Sequence, residues 1–116
     1  MLARISTIKK AQDFQMLFKE AKSFKNQLFV LKLLRNGSGK NRFAFIVSQK
    51  VSKKATARNK VRRRLAEAVR AEFENMESGL DIVLIALPGI EKKEFADIGN
   101  ALSEAIYKTG ITKKKG

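Results

Sequence analysis

The chain contains no Cys and no His, which removes the commonest thiol nucleophile, general base and transition-metal ligand. What it offers instead is cation. Lys50, Lys53, Lys54, Arg58, Lys60, Arg62, Arg63 and Arg64 stand in one stretch of fifteen positions, Lys50 to Arg64, without an acid among them. The chemistry open to such a run is recognition of a polyanion: a protein that neutralises phosphates releases their condensed counterions. The run then opens into an apolar repeat, Val61, Leu65, Val69, Phe73 and Met76. That is helical spacing, expected to continue to about Glu77 with Ser78-Gly79 as the stop. The cations therefore belong to a folded amphipathic helix and not to a charged tail. On a helical wheel Asn59, Arg63 and Arg70 fall opposite the stripe, with Arg58 and Arg62 nearer its edge at the N-terminal end. Cations at a helix N-terminus oppose the macrodipole by about 0.3 kcal/mol or more each. A chain that accepts this repeatedly has an anionic partner to offset it, whereas a face kept for solubility mixes both signs.

Composition supports the same reading. The 116 residues carry 25 Lys+Arg against 11 Asp+Glu, a net charge of +14. Residues 1–64 hold 18 basic and 2 acidic residues and residues 65–116 hold 7 and 9, so one side of the molecule meets a polyanion and the other does not. A hydrophobic content of 44% fits one globular domain over 1–116 with a core of its own. No apolar run reaches signal-peptide or membrane-span length, so the expected location is cytoplasmic. An anionic membrane is the poorer partner, because the basic helix pairs its cations with a core stripe and lacks the Trp/Phe-rich face of an interfacial helix.

The elements that must position these residues follow from periodicity. Arg4, Lys9 and Lys10 form a basic lead with Ile5 and Ile8 available for docking. Phe14, Leu17, Phe18 and Ala21 mark a helix from about Ala11 to Ala21. Two aromatics one turn apart serve either as core anchors or, with Met16 and Leu17 buried in their place, as an exposed pair; spacing leaves both open. Residues 27–35 read as a strand, Asn36 to Asn41 as a turn through Asn36-Gly37, and Arg42–Lys50 as the returning strand. That strand shows Phe43, Phe45 and Val47 on one face and Ala44, Ile46, Ser48 and Lys50 on the other. The second face suits either a ligand or a closely packed helix. Leu80–Leu87 is a continuous apolar run, hence a central strand covered on both sides and ended by Pro88-Gly89. A last helix spans about Lys92–Tyr107, with Phe95, Ile98, Leu102, Ala105 and Ile106 inward and Gly110 closing it. Residues from about 111 to 116 are expected to be a disordered basic tail. The order is helix, two or three strands, helix, strand, helix: an α+β two-layer sandwich on an antiparallel-to-mixed sheet.

Could the protein itself be a nuclease? The acids of the basic half, Asp13 and Glu20, are too few for a two-metal cage, and Glu67, Glu72, Glu74 and Glu77 share a helix where spaced acids usually face water. No phosphate-loop signature is present either. A folded cationic face without a catalytic group binds an anion and does not cleave it.

The stretch Ala55-Thr56-Ala57-Arg58-Asn59-Lys60-Val61-Arg62-Arg63 resembles the Arg-Asn-Arg signature of the bacterial ribonuclease P protein subunit. Asp13-Phe14-Gln15-Met16-Leu17-Phe18-Lys19 resembles that family's aromatic first helix. Arg42 to Lys50 resembles the strand before the signature, and Gly79 to Ala86 resembles the final strand. The likeness spans residues 4–107. It implies a fold like the second domain of ribosomal protein S5, α-β-β-(β)-α-β-α, with a left-handed βαβ crossover, an exception to the usual hand. It also implies a subunit of the ribonucleoprotein that removes the 5′ leader of precursor tRNA, with the catalytic centre and its Mg²⁺ ions in the RNA and no metal expected on the protein. Lys53, Lys54, Arg58, Asn59, Lys60, Arg62, Arg63, Arg64 and Arg70 would meet the RNA subunit. Arg4, Lys10, Phe14, Phe18, Ala44, Ile46, Ser48 and Lys50 would line a leader cleft between the first helix and the sheet. The chain departs from the family's pattern at Ala66, where an arginine is common, in the Gly-free loop Val51-Ser52-Lys53-Lys54, and at Leu87-Pro88, where a basic residue is common. A ribosomal or ribosome-assembly protein is the rival class, and a DNA-architectural protein a third. Aromatics beside a sheet favour single-stranded RNA through base stacking.

Overall fold

Leu80–Ala86 forms a strand buried at every position except Ile85, and the rest of the sheet is assembled on its two edges. In this computed structural model, which describes residues 6–112, the elements are β1 (Ser6–Thr7), α1 (Ala11–Glu20), β2 (Lys22–Lys25), β3 (Phe29–Arg35), β4 (Arg42–Ile46), α2 (Ala55–Glu72), β5 (Leu80–Ala86) and α3 (Phe95–Thr109). Short 3-10 turns lie at Phe73–Asn75 and Ile90–Lys92. The sheet order is β1-β4-β5-β3-β2. β5 runs antiparallel to β3 and parallel to β4, so α2 is the crossover of a β4-α2-β5 unit.

This arrangement corrects the hairpin expected at Asn36-Gly37. β3 and β4 are not neighbours, because the most apolar segment of the chain takes the place between them and buries both faces there. The true hairpin is β2–β3, with Lys25 opposite Val30. It turns on Asn26, whose Oδ1 accepts the N–H groups of Leu28 and Phe29 at 2.8 and 2.9 Å. The polar sequence of β2 and the two residues of β1 carry too little periodicity to be read in advance.

One sheet face packs on α2 and α3. Phe29, Leu31, Phe43, Leu80, Ile82 and Leu84 meet Val61, Leu65 and Val69 of α2 and Ile98, Leu102 and Ile106 of α3 in one core cluster. The other face carries α1 alone, through a small cluster of Ile8, Leu17 and Val83.

Several boundaries move. α2 ends at Glu72, and Phe73 packs its ring 6.2 Å from that of Phe43. Met76 lies beyond the helix and bridges to Thr112. α3 begins at Phe95, behind a reciprocal Glu94–Asp97 capping box, and Phe95 is exposed rather than inward. Ile111 is buried, and its carbonyl accepts the Glu77 N–H at 2.8 Å, so the ordered chain extends past the expected start of the tail. Arg4 and residues 113–116 lie outside the described residues.

Gly79 is not a helix stop. It adopts φ +82°, and a Cβ there would stand 2.6 Å from the Ser38 carbonyl oxygen, while its own carbonyl accepts the Asn36 N–H. Gly79 lets the β3–β4 loop close against the start of β5. Gly79→Ala combines left-handed backbone with a backbone clash and should destabilise by about 1–3 kcal/mol. Thermal unfolding of the variant checks this; an unchanged midpoint would remove the constraint.

Candidate nucleic-acid interface

Residues paired across a sheet point to the same side, so the register lays out the face beneath α1 as rows. Arg42, Asp81 and Leu34 form one; Ala44, Val83, Lys32 and Ser23 the next; Ile46, Ile85, Val30 and Lys25 the last. α1 has only ten residues, and it buries Val83 completely while Ala44, Ile46, Ile85 and Val30 stay partly open. The result is an apolar trough with lysines toward its β2 side.

The two aromatics of α1 occupy different environments. Neither reading of its periodicity holds whole: the helix buries Leu17 but leaves Met16 53% exposed, and it splits the aromatic pair. Phe14 is half-buried against the Ile8/Leu17/Val83 cluster. Phe18 is 50% exposed, with the Lys32 ammonium 5.8 Å from its ring centroid. A cation at that distance interacts with the ring face at about 0.5–1 kcal/mol when exposed. Ser48 and Lys50 do not continue the strand. β4 stops at Ile46, and Ser48–Val51 is a turn closed by the Val51 N–H to the Ser48 carbonyl. Both side chains are exposed at its rim, as is Lys10 at the start of α1.

What fixes α1 over this trough is a polar knot that sequence reasoning missed. Asp81, 4% exposed, accepts from Arg42 Nε and Nη2 and from Asn36 Nδ2. Arg42 Nη1 also donates to Asp13 in the first turn of α1 at 3.1 Å. The Asp81 hydrogen bond raises the Arg42 pKa above its ordinary value, against the pull of burial. The signal was an acid inside an otherwise apolar strand. A carboxylate there requires a partner, and the cation of the same sheet row supplies it. Lys32 carried a similar signal, a charge flanked by Leu31 and Leu33.

On the opposite side α2 presents its cations in two conditions. Some hold protein. Arg58 Nη1 donates to the carbonyls of Ser52 and Lys53, both at 3.0 Å, and closes the loop before the helix. Arg62 donates to Asn59 Oδ1 and to the Val47 carbonyl. Arg64 reaches the Lys93 carbonyl at 2.8 Å, toward α3, and Arg70 pairs with Glu67 at 2.7 Å. Lys53, Lys54, Lys60 and Arg63 are exposed and have no side-chain partner among the described residues. α2 has no side-chain N-cap and no acid in its first turn, so its N-terminal end stays electropositive. Among the described residues no three His, Cys, Asp or Glu side chains cluster where a metal ion could sit.

A family model for ribonuclease P matches residues 2–110. The chain belongs to the ribonuclease P protein family. It is 37% identical over 110 residues to the ribonuclease P protein component of Clostridioides difficile, covering 94% of this chain and 96% of that one. It is 35% identical over 108 residues to that of Clostridium kluyveri, covering 91% and 96%. Two solved structures share the architecture. The RNase P protein of Thermotoga maritima superposes with a TM-score of 0.80 at 28% identity, covering 96% of this chain and 99% of that one. The Staphylococcus aureus RNase P protein gives 0.79 at 29%, covering 92% and 96%. Membership makes the chain a subunit of ribonuclease P with an RNA partner, and it disposes of the ribosomal and DNA-architectural alternatives. No helix among the described residues is long and apolar enough to cross a membrane.

Arg42→Met should be the most damaging surface-accessible substitution of this region, because it leaves Asp81 buried without its cation. Arg42 is itself partly solvated, so the loss falls at or below the ~3–5 kcal/mol of breaking a fully buried pair. Asp13→Asn removes only the more solvated, half-buried arm and should cost about 1 kcal/mol. Chemical denaturation of the two variants tests the order; equal effects would mean that Asp81 does not depend on Arg42.

Proposed function

We propose that this subunit uses two separate surfaces to assist the catalytic RNA in removing the 5′ leader of precursor tRNA. α2 and the loop before it, through Lys53, Lys54, Lys60 and Arg63 in particular, dock on the RNA subunit. The trough between α1 and the sheet takes the single-stranded leader, with Phe18 as a stacking face, Ala44 and Ile46 as floor, and Lys10, Lys32, Ser48 and Lys50 at the rim. The observation that carries this reading is that α1 covers its sheet face only in part, leaving an apolar strip flanked by cations on the side away from α2. Unpaired bases have apolar faces and an anionic backbone, and such a strip suits both.

In this scheme the protein activates no water. The Mg²⁺ ions belong to the RNA subunit and its substrate. Asp13 of α1 and Asp81 of the sheet face beneath it both engage Arg42, so they are poor candidates to hold a metal. What the protein contributes is binding energy from stacking and from phosphate neutralisation, applied to a leader that the mature product lacks.

Reconstitution with a bare ribonuclease P RNA tests both surfaces. The protein should restore precursor-tRNA cleavage at low Mg²⁺ and show none by itself; cleavage by RNA-free protein would overturn the scheme. Phe18→Ala should weaken leader-bearing substrate by ~5- to 150-fold, the equivalent of one base stack, with mature tRNA affinity and melting temperature nearly unchanged. Phe14→Ala should also lower the melting temperature, because its ring is half-buried. Arg63→Ala should lower affinity for the RNA subunit and reduce the log–log salt slope by about one unit. If Phe18→Ala leaves leader discrimination intact, the trough is not the leader site.

A further inference from the structure

Between β4 and the flank of α2, beside the α2 surface and sharing Arg63 with it, lies a concavity of about 530 Å³ whose apolar floor neither surface uses. Phe45 and Ala66 supply its apolar part, and Arg62, Arg63, Glu67 and Arg70 surround it. Phe45, like Phe43, points away from the leader trough. It packs on the main core at one edge and stays only partly buried. The recess exists because α2 places a methyl group, Ala66, where a longer side chain would reach across the aromatic ring. β1 pairs with β4 only as far as Phe43, so on that outer edge no paired strand stands beside Phe45, whose other neighbour is Leu84 of β5.

We propose that this recess takes one unpaired nucleobase of the RNA subunit, extruded from its stack and laid against Phe45, with its flanking phosphates on Arg62 and Arg63. The inference rests on the reading that α2 faces the RNA subunit. The chemistry is selective. A free anion has no use for an aromatic floor, and an apolar peptide would cover the unpartnered Arg63 guanidinium without an acceptor for it. A planar base carried on a phosphate chain satisfies both halves. The rim is also ordered in advance: the Asn59 and Val47 oxygens hold Arg62, and Glu67 holds Arg70. Arg63 has no side-chain partner among the described residues and stays free for a phosphate. β4 then serves two RNAs by simple alternation, Ala44 and Ile46 toward the leader and Phe45 toward the catalytic RNA.

The test titrates the full-length protein with ribonuclease P RNA at several salt concentrations and probes base reactivity in the complex at nucleotide resolution. Ala66→Leu fills the recess at a helix position that tolerates Leu, and Phe45→Leu keeps apolar packing while removing the ring. Wild-type protein should protect the base edge of one unpaired nucleotide. Each variant should restore that reactivity and weaken binding by ~5- to 150-fold, with the salt slope unchanged because the phosphate contacts remain. Arg63→Ala serves as the reference, lowering the slope while leaving the base protected. If Arg63→Ala reduces affinity but Ala66→Leu and Phe45→Leu, folded by thermal unfolding, bind and protect like wild type, the base recess is wrong and the α2 interface stands. If Arg63→Ala also changes nothing, the interface falls and the recess with it.

Discussion

A carboxylate inside the central strand organises this molecule. Asp81 sits one residue into β5, is almost wholly buried, and cannot be left without donors. Its donors come from two segments distant in sequence: Asn36 from the loop after β3, and Arg42 from the first position of β4. Each of these is tied further. Asn36 also donates to the Lys40 carbonyl and accepts the Ser38 N–H, and Arg42 reaches Asp13 of α1. Asn41, also buried, bonds the Leu80 N–H and the Glu77 carbonyl on the other side of the same strand end. One end of β5 is thus hydrogen-bonded to both of its neighbours and, through Arg42, to α1. A slip of β5 by one residue would turn Asp81 toward the main core and strand it, so the knot specifies register as well as position.

The functional division of the surface follows from that placement. With β5 between them, β3 and β4 expose opposite edges of the apolar face beneath α1. α1 is pinned at its first turn by Asp13 and along its length by Leu17 alone as a fully buried contact. A ten-residue helix held this way cannot roof a five-stranded sheet, so the uncovered strip is a consequence of fold geometry and not of a missing element. On the other face α2 and α3 cover the core except at the recess beside Phe45, and the cations of α2 lie outward and along its flank.

The parts of this architecture that strong periodicity encodes were readable in the chain itself: the α2 stripe through Val61, Leu65 and Val69, the central strand at Leu80–Ala86, the inward face of α3 and the Gly110 cap. Strand order was not. The Asn36-Gly37 pair has the local chemistry of a hairpin, and nothing local reports that β5, forty residues later, will pair with both strands beside it. β2 escaped because Lys22-Ser23-Phe24-Lys25 is an edge strand with a single apolar contact, Phe24, against the core. In the candidate site, Phe18 and the cation run were visible from type and spacing, and the likeness to a known family narrowed their roles. Which cations are free was invisible, because Arg58, Arg62 and Arg64 bond backbone carbonyls from segments whose placement depends on the fold.

That last point changes how the basic helix should be understood. An α-helix whose N-terminal end is crowded with positive charge repels itself and opposes its own dipole. Here part of the charge relieves the problem locally. Arg58 returns to the carbonyls of Ser52 and Lys53, in the loop just before the helix, and Arg62 satisfies the Val47 carbonyl beyond the end of β4. Those guanidinium groups hold the loop and strand end against the helix, while Lys53, Lys54, Lys60 and Arg63 remain solvated. Guanidinium suits the first task, since its planar fork can bridge two fixed acceptors; an ammonium on a flexible stem suits contact with a mobile phosphate chain. Among the described cations of this segment the division follows residue type except at Arg63, the one arginine of the run with no protein acceptor. It also stands at the edge of the aromatic recess, where a planar cation can lie beside a base as well as bind its phosphate.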